Sequence, residues 1–346
     1  MVEKLKICCP VCNNEPSLEE TSGVICKKCG FEIAFVRSFA GQISKDLWLD
    51  KVKKAKNQRK LNHLSEFALG NYFVLTNDSV SFLSSQEKKI TIIYANGKVK
   101  EEKNIIQYSA NERNSAWLYE NGTVLVTGDN SYGQCNATGL ENIAHVLVAP
   151  NCIYAIEQRG SIQIVGAVID PKIKTWKNIT AISCGAFHVV GLTKEGTVTI
   201  AGEMIDESII KQVSQWKNVK TITASTDCSV ALFQDGTVAF AGRQNDPRRE
   251  AQQWTDMISI KADSSYVVGL TKNGEIKLAG YCKPFLDMGR SSAKEWKGII
   301  AITCSRSGIA AITEHGELLV VGAFSGDLKK VNQLWNNNIK NWIVGI

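Results

Sequence analysis

The feature that most constrains this chain is a repeat of about forty residues. The segment WKNITAISCGAFHVVGLTKEGTVTIAG, from Trp176 to Gly202, returns as WKNVKTITASTDCSVALFQDGTVAFAG from Trp216 to Gly242. Weaker copies begin at Trp254 and Trp296. A pair of glycines sets the register. Gly122, Gly160, Gly196, Gly236, Gly274 and Gly316 are each followed six residues later by a second glycine, from Gly128 to Gly322. The six units are spaced 38, 36, 40, 38 and 42 residues apart.

Each unit reads as short strands. Asn121-Gly122, Asp235-Gly236 and Asn273-Gly274 are dipeptides that supply positive φ in a tight hairpin turn. They stand between alternating apolar runs such as Val189, Leu192, Val198 and Ile200, the period of a half-buried strand. The second glycine marks a close approach of backbone. Some four short strands per unit predict a propeller blade. A helical repeat would show a 3.6-residue period and few Asx-Gly turns.

Six units leave one blade to find. The C-terminus restarts the unit at Trp335 and stops after a first strand in Ile339–Ile346, while Asn71–Ser85 supplies a hairpin with Ser79 at the turn-glycine position. The expectation is an all-β chain: a seven-bladed β-propeller over residues 67–346, closed by strands from both termini so that no edge is left open. A small zinc ribbon (1–36) and a basic linker helix (37–66) precede it.

The phrase GDNSYGQCNATG (Gly128–Gly139) and the Trp-Lys-Asx units resemble repeats of the regulator-of-chromosome-condensation family, especially its bacterial branch. The resemblance covers residues 67–346 and implies the propeller. The family includes a nucleotide exchange factor that docks on nucleosomes, plant ultraviolet-B photoreceptors and β-lactamase inhibitors, so it implies a scaffold and not a chemistry. The full GDNSYGQC loop occurs once; later blades carry GEMIDESIIK, GRQNDPRREAQ and GYCKPFLDMGRSS.

Five of eleven cysteines fall within residues 8–29. Cys9-Pro-Val-Cys12 and Cys26-Lys-Lys-Cys29 form two CxxC knuckles thirteen residues apart, the pattern of a tetrahedral S4 zinc site. Gly30 permits the tight knuckle, and Phe31–Phe35 continues as a ribbon strand. One structural Zn2+ is expected, with Cys8 left as a free thiol. A redox dithiol is the alternative, but four cysteines in two pairs argue against a single reactive pair. A ribbon this small needs the metal to fold. The six scattered cysteines read as small buried hydrophobes.

Charge is uneven. Residues 1–70 hold 12 Lys/Arg against 8 Asp/Glu, a net of +4 out of the whole chain's +6. Ser44–Ala68 predicts a helix, and Lys51, Lys53, Lys54, Lys56, Arg59 and Lys60 make it a candidate for nucleic acid phosphates or a solvated linker. Arg243, Arg248 and Arg249, in a Pro-containing loop on a rigid ring, are the candidate contacts for a protein partner, an ordinary charged loop being the alternative. The recurrent tryptophans imply packing in each blade, not a photochemical cluster. His188 reads as structural.

No phosphate-binding glycine loop, HExxH or GxSxG is present, so binding and not catalysis is expected. No stretch reaches membrane-spanning length, and the N-terminus lacks a signal-peptide apolar region, which predicts a cytoplasmic protein. The leading expectation is an adaptor whose propeller face engages a protein, with the ribbon as tether or second contact. A nucleic-acid-associated protein working through ribbon and helix is the competing reading, and an enzyme or enzyme inhibitor with an unrecognised site the third.

Overall fold

The computed structural model describes Val24–Ile25, Glu32–Ile33 and residues 73–340, the last without 85–86, 204, 282–286 and 307. The chain divides into two compact units, Met1–Glu66 and Phe67–Ile346. In the first unit β1 (Val24–Ile25) pairs antiparallel with β2 (Glu32–Ile33). The four knuckle cysteines, Cys8 and the basic segment 51–60 lie outside the described residues.

The second unit is seven antiparallel sheets in chain order. Blade 1 has four strands, β3 (Phe73–Leu75), β4 (Ser79–Ser84), β5 (Lys89–Tyr94) and β6 (Val99–Lys103). Blades 2 to 4 are β7–β9 (Ile105–Ala110, Asn114–Tyr119, Val124–Gly128), β10–β12 (Ile143–Val148, Cys152–Glu157, Ile162–Gly166) and β13–β15 (Ile179–Cys184, His188–Thr193, Val198–Gly202). Blades 5 to 7 are β16–β18 (Val219–Ala224, Ser229–Phe233, Val238–Ala241), β19–β21 (Met257–Ala262, Tyr266–Thr271, Ile276–Gly280) and β22–β24 (Ile299–Ser305, Gly308–Thr313, Leu318–Gly322). First strands of all seven line one central channel, and β22 packs against β3, as expected of a propeller.

Two left-handed positions set the blade geometry. The turn between second and third strands holds its glycine at positive φ, 75° at Gly196 for example. The residue before each following blade is also left-handed: Asn104, Asn142, Asn178, Asn218 and Asp256 have φ of 56–61°. Asx is the non-glycine class that tolerates this conformation best. Across the blade junction, Ile179 N–H donates to Gly160 C=O at 2.9 Å, and Val219, Met257 and Ile299 repeat the bond to Gly196, Gly236 and Gly274. The second glycine is a close approach, as the spacing predicts. A Cβ on Gly202 would meet the Phe187 carbonyl oxygen and His188 Cα.

Blade 1 corrects the expected register. Lys88, at φ 48°, occupies the turn-glycine place, and Ile105 N–H donates to its carbonyl at 2.8 Å. Ser79 instead opens β4, with Thr76 N–H donating to its carbonyl in the turn between first and second strands. β3 therefore fills the first-strand place that the sequence assigns to the C-terminus. Asn336–Lys340 forms a π-turn, and 341–346 lie outside the described residues. One contact between the two ends is made by Trp335, wholly buried, whose ring meets Phe73 and Phe82 edge-on with centroids 5.9 Å from each.

The core runs as layers between consecutive blades. Val230, Leu232 and Phe240 of blade 5 pack on Met257, Ile260 and Val267 of blade 6, with Trp254 among them. Trp176, Trp216 and Trp296 sit in three other such layers, so the tryptophans are separated wedges. Each buried large aliphatic side chain contributes about 1.5–3 kcal/mol. Cys152 and Cys228 are buried in these layers and Cys135, Cys184 and Cys304 half-buried, all five unpaired. Burial pushes the Cys184 thiol up to about 12 and that of Cys228 up to about 11, which disfavours their thiolates.

Candidate functional site

One face of the ring carries the turns between first and second strands together with the connectors that follow the third strands. Four of the connectors are short helices begun by aspartate. Asp206 Oδ1 accepts from Ser208 N–H at 2.7 Å at the start of α1 (Glu207–Ser214), and Asp327 caps α2 (Leu328–Trp335) in the same way. Asp170 and Asp246 cap the 3-10 turns Pro171–Thr175 and Pro247–Gln253, each with proline in the first turn. This connector face also bears the exposed Tyr132, Phe187, Tyr281 and Met288.

Between blades 4 and 5 the face opens into a cleft of about 840 Å3, lined among others by Phe187, Asp206, Gln212, Asp227, Arg243 and Arg249. Phe187 is 53% exposed. In the turn before the second strand the other blades carry polar residues at its position, including Asp78, Arg113, Asn151, Asp227 and Ser265. The Arg243 side chain is 82% exposed, its Nε 3.8 Å from Asp227 Oδ2. Solvent screening keeps so exposed a pair weak, and Arg243 is available to a ligand. Arg249 is half-buried, its guanidinium 5.2 Å over the Phe240 ring and donating to the Gly242 carbonyl at 2.7 Å. Its Nε is buried without a hydrogen-bond partner. Asp206, held ionised below the usual carboxylate range by its bonds from Ser208, and Asp227 balance the two arginines.

Arg248 is corrected. Its side chain is 2% exposed and wedged beneath the loop. Nη2 donates to Asp246 Oδ2 at 2.6 Å and to Asp227 Oδ1 at 2.5 Å, Nη1 to Ser225 Oγ at 2.7 Å and to the Ser264 carbonyl at 3.0 Å. Burial works against its charge, and the hydrogen bonds it donates to Asp246 and Asp227, with their negative charge, more than offset that. A buried arginine with a filled fork holds the turns of blades 5 and 6 together; it does not meet a partner. The sequence brings Arg243 and Arg249 to the cleft and misses Phe187 and Asp227. Phe187 is legible as the apolar exception in its column; Asp227 is not, because it lies sixteen residues from Arg243.

His188 is 4% exposed, and its Nε2 lies 2.8 Å from Ser229 Oγ on the neighbouring blade. Burial pushes its pKa down to about 4, against the pull of Asp227. Among the described residues no three His, Cys, Asp or Glu side chains gather as metal ligands.

No family model and no curated protein sequence matches the chain. Solved structures do. Yeast RCC1 (Prp20), crystallised bound to Kap60, superposes with a TM-score of 0.51 at 15% identity, over 77% of this chain and 82% of that one. Prp20p from Saccharomyces cerevisiae, described with its binding to Gsp1p and histones, gives 0.51 and 15% over 77% and 84%. The CRINKLY WD40 ectodomain of the Arabidopsis thaliana receptor kinase ACR4 gives 0.54 at 10% identity, over 73% and 95%. The second unit therefore has an RCC1-like β-propeller fold. At such identities the likeness concerns the fold alone. No described helix is long and apolar enough to cross a membrane.

Proposed function

We propose that this chain is an intracellular binding protein whose propeller docks a protein partner on its connector face, at the cleft between blades 4 and 5. The observation that carries the reading is the cleft itself: an exposed phenylalanine beside an exposed arginine, on turns held by a buried Arg248 network. Aromatic and arginine anchors on a pre-ordered surface are what protein interfaces use. Prp20p, a propeller of this fold, is described as binding Gsp1p and histones, which supports such a ring as a docking platform. The mixed charge of the cleft, two arginines against two aspartates, favours a protein over a nucleic acid there. The N-terminal cysteines Cys9, Cys12, Cys26 and Cys29 hold one structural zinc in this reading, and the ribbon serves as tether or second contact.

The test is affinity capture from the native host's lysate, treated with nuclease, with full-length protein and its Phe187→Ala/Arg243→Ala variant. The expected result is a protein partner bound by the first and lost at least tenfold by the second. Retention of the same partner by the variant, or capture that nuclease abolishes in the unaltered protein, overturns the reading.

A further inference from the structure

The central channel has a volume of about 530 Å3, within the range of sites for small molecules. Its charged lining has one sign. Lys220, from β16, and Lys261, from β19, line it together with His145, and no carboxylate among the described residues does. Burial lowers the pKa of both lysines, the signature of ammonium groups drawn out of water. It lowers that of His145 too, which leaves its imidazole neutral and a hydrogen-bonding group.

Lys261 is also out of keeping with its column. In three other blades the equivalent first-strand residue is a hydroxyl that accepts from the next blade. Ser109 accepts from Val148 N–H at 3.0 Å, Ser183 from Ala224 N–H at 2.8 Å and Thr223 from Ala262 N–H at 3.2 Å. By register Lys261 stands in this place in blade 6. An ammonium group has no lone pair and cannot make the bond. Blade 6 thus replaces a stitch between blades with a positive charge directed at the channel.

Where the channel meets the connector face, a second cavity of about 460 Å3 adjoins it, and Ala110 and Cys304 line both. Arg113 and Arg306 line this mouth, both exposed, with Glu112 the one carboxylate among the described lining. Positive groups therefore continue from the mouth to the interior. Drawing the Lys261 ammonium from water, with no carboxylate in the described lining of the channel, is unfavourable, and a bound anion offsets it.

We propose that the central channel is a binding site for a multivalent oxyanion of metabolite size, bearing phosphate or carboxylate groups, with Lys261 and Lys220 as its charged partners and Arg113 and Arg306 at its entrance. The site is separate from the protein-docking cleft and stands without it. A bound anion adds stability to the folded ring by mass action.

The experiment is calorimetric titration of the full-length protein at low ionic strength with pyrophosphate and with citrate, chloride of matched ionic strength serving as control. Saturable one-site binding is expected, weakened at least tenfold by Lys261→Ser and by Lys220→Met. Lys261→Ser restores the hydroxyl found in blades 2, 4 and 5, so its melting temperature without anion should equal or exceed that of the unaltered protein. Tighter binding of pyrophosphate assigns a phosphorylated ligand and tighter binding of citrate a polycarboxylate. Absence of saturable heat with both anions overturns the proposal. Undiminished affinity in the two variants overturns it equally, since the anion then sits on some other basic surface.

Discussion

Arg243 and Arg248 stand five residues apart in one loop, and their surroundings make them opposites. Arg243 projects into solvent, while Arg248 fills a pocket of carboxylates and carbonyls. Removing Arg248 strands Asp246, itself buried, without its counter-charge. Arg248→Ala should lower stability by about 3–5 kcal/mol, whereas Arg243→Ala should stay within about 0.5 kcal/mol. Urea unfolding midpoints of the two variants decide it; equal midpoints would contradict the buried-network reading. His188 makes a pH-dependent contribution of known sign. In the unfolded chain it takes up a proton near pH 6.5, but in the folded ring only near about 4. Its contribution is complete above pH 6.5 and is lost as pH falls toward 4, by about 3 kcal/mol in all. Melting curves between pH 7 and 4 should be flatter for His188→Gln than for the unaltered protein. Parallel profiles would remove His188 from the account.

Among the elements, the hairpins were the most legible, because a left-handed turn selects glycine or Asx by sterics alone. That rule also explains the misread blade. Lys88 enters the same left-handed region without being glycine, so a count of glycines passes over it and settles on Ser79. The connectors followed Asp-capping that varies in distance from its tryptophan, six residues for Asp170–Trp176 and ten for Asp206–Trp216, which blurs the pattern in the sequence. At the N-terminal end, the β1–β2 pair flanks the Cys26–Cys29 knuckle in sequence, the arrangement a ribbon hairpin requires. Metal analysis of protein purified without chelators should find one zinc per chain, and Cys26→Ser should lose it. Metal-free protein with an intact melting transition would rule the zinc out.

For the whole molecule, closure concentrates at the junction of blades 7 and 1. Trp335 Nε1–H donates to the Gly316 carbonyl of blade 7 at 2.9 Å while its ring packs on Phe73 and Phe82 of blade 1. Ser325 N–H donates to the Asn77 carbonyl at 3.0 Å across the same junction. Trp335→Ala should cost about 3–5 kcal/mol and, because the ring is shared by all blades, lower a single cooperative transition. Removal of Ile339–Ile346, which takes away the buried Ile339, should lower it as well. Differential scanning calorimetry of both variants checks this, and an unmoved transition in either would show that the C-terminal segment does not hold the ring.

The number of blades and the place of most turns follow from the sequence by itself, because alternation and left-handed turns are local matters of sterics and burial within a few residues. The four strands expected per unit do not, since six of the seven described blade sheets have three. The opposite fates of Arg243 and Arg248, the meeting of Phe187 and Arg243 in the lining of one cleft, the first strand of blade 1 and the gathering of Lys220 and Lys261 in one channel were decided by the tertiary structure. Each depends on residues from tens of residues to the length of the ring apart in the chain, brought together when the blades pack, and only that packing determines which charges leave water.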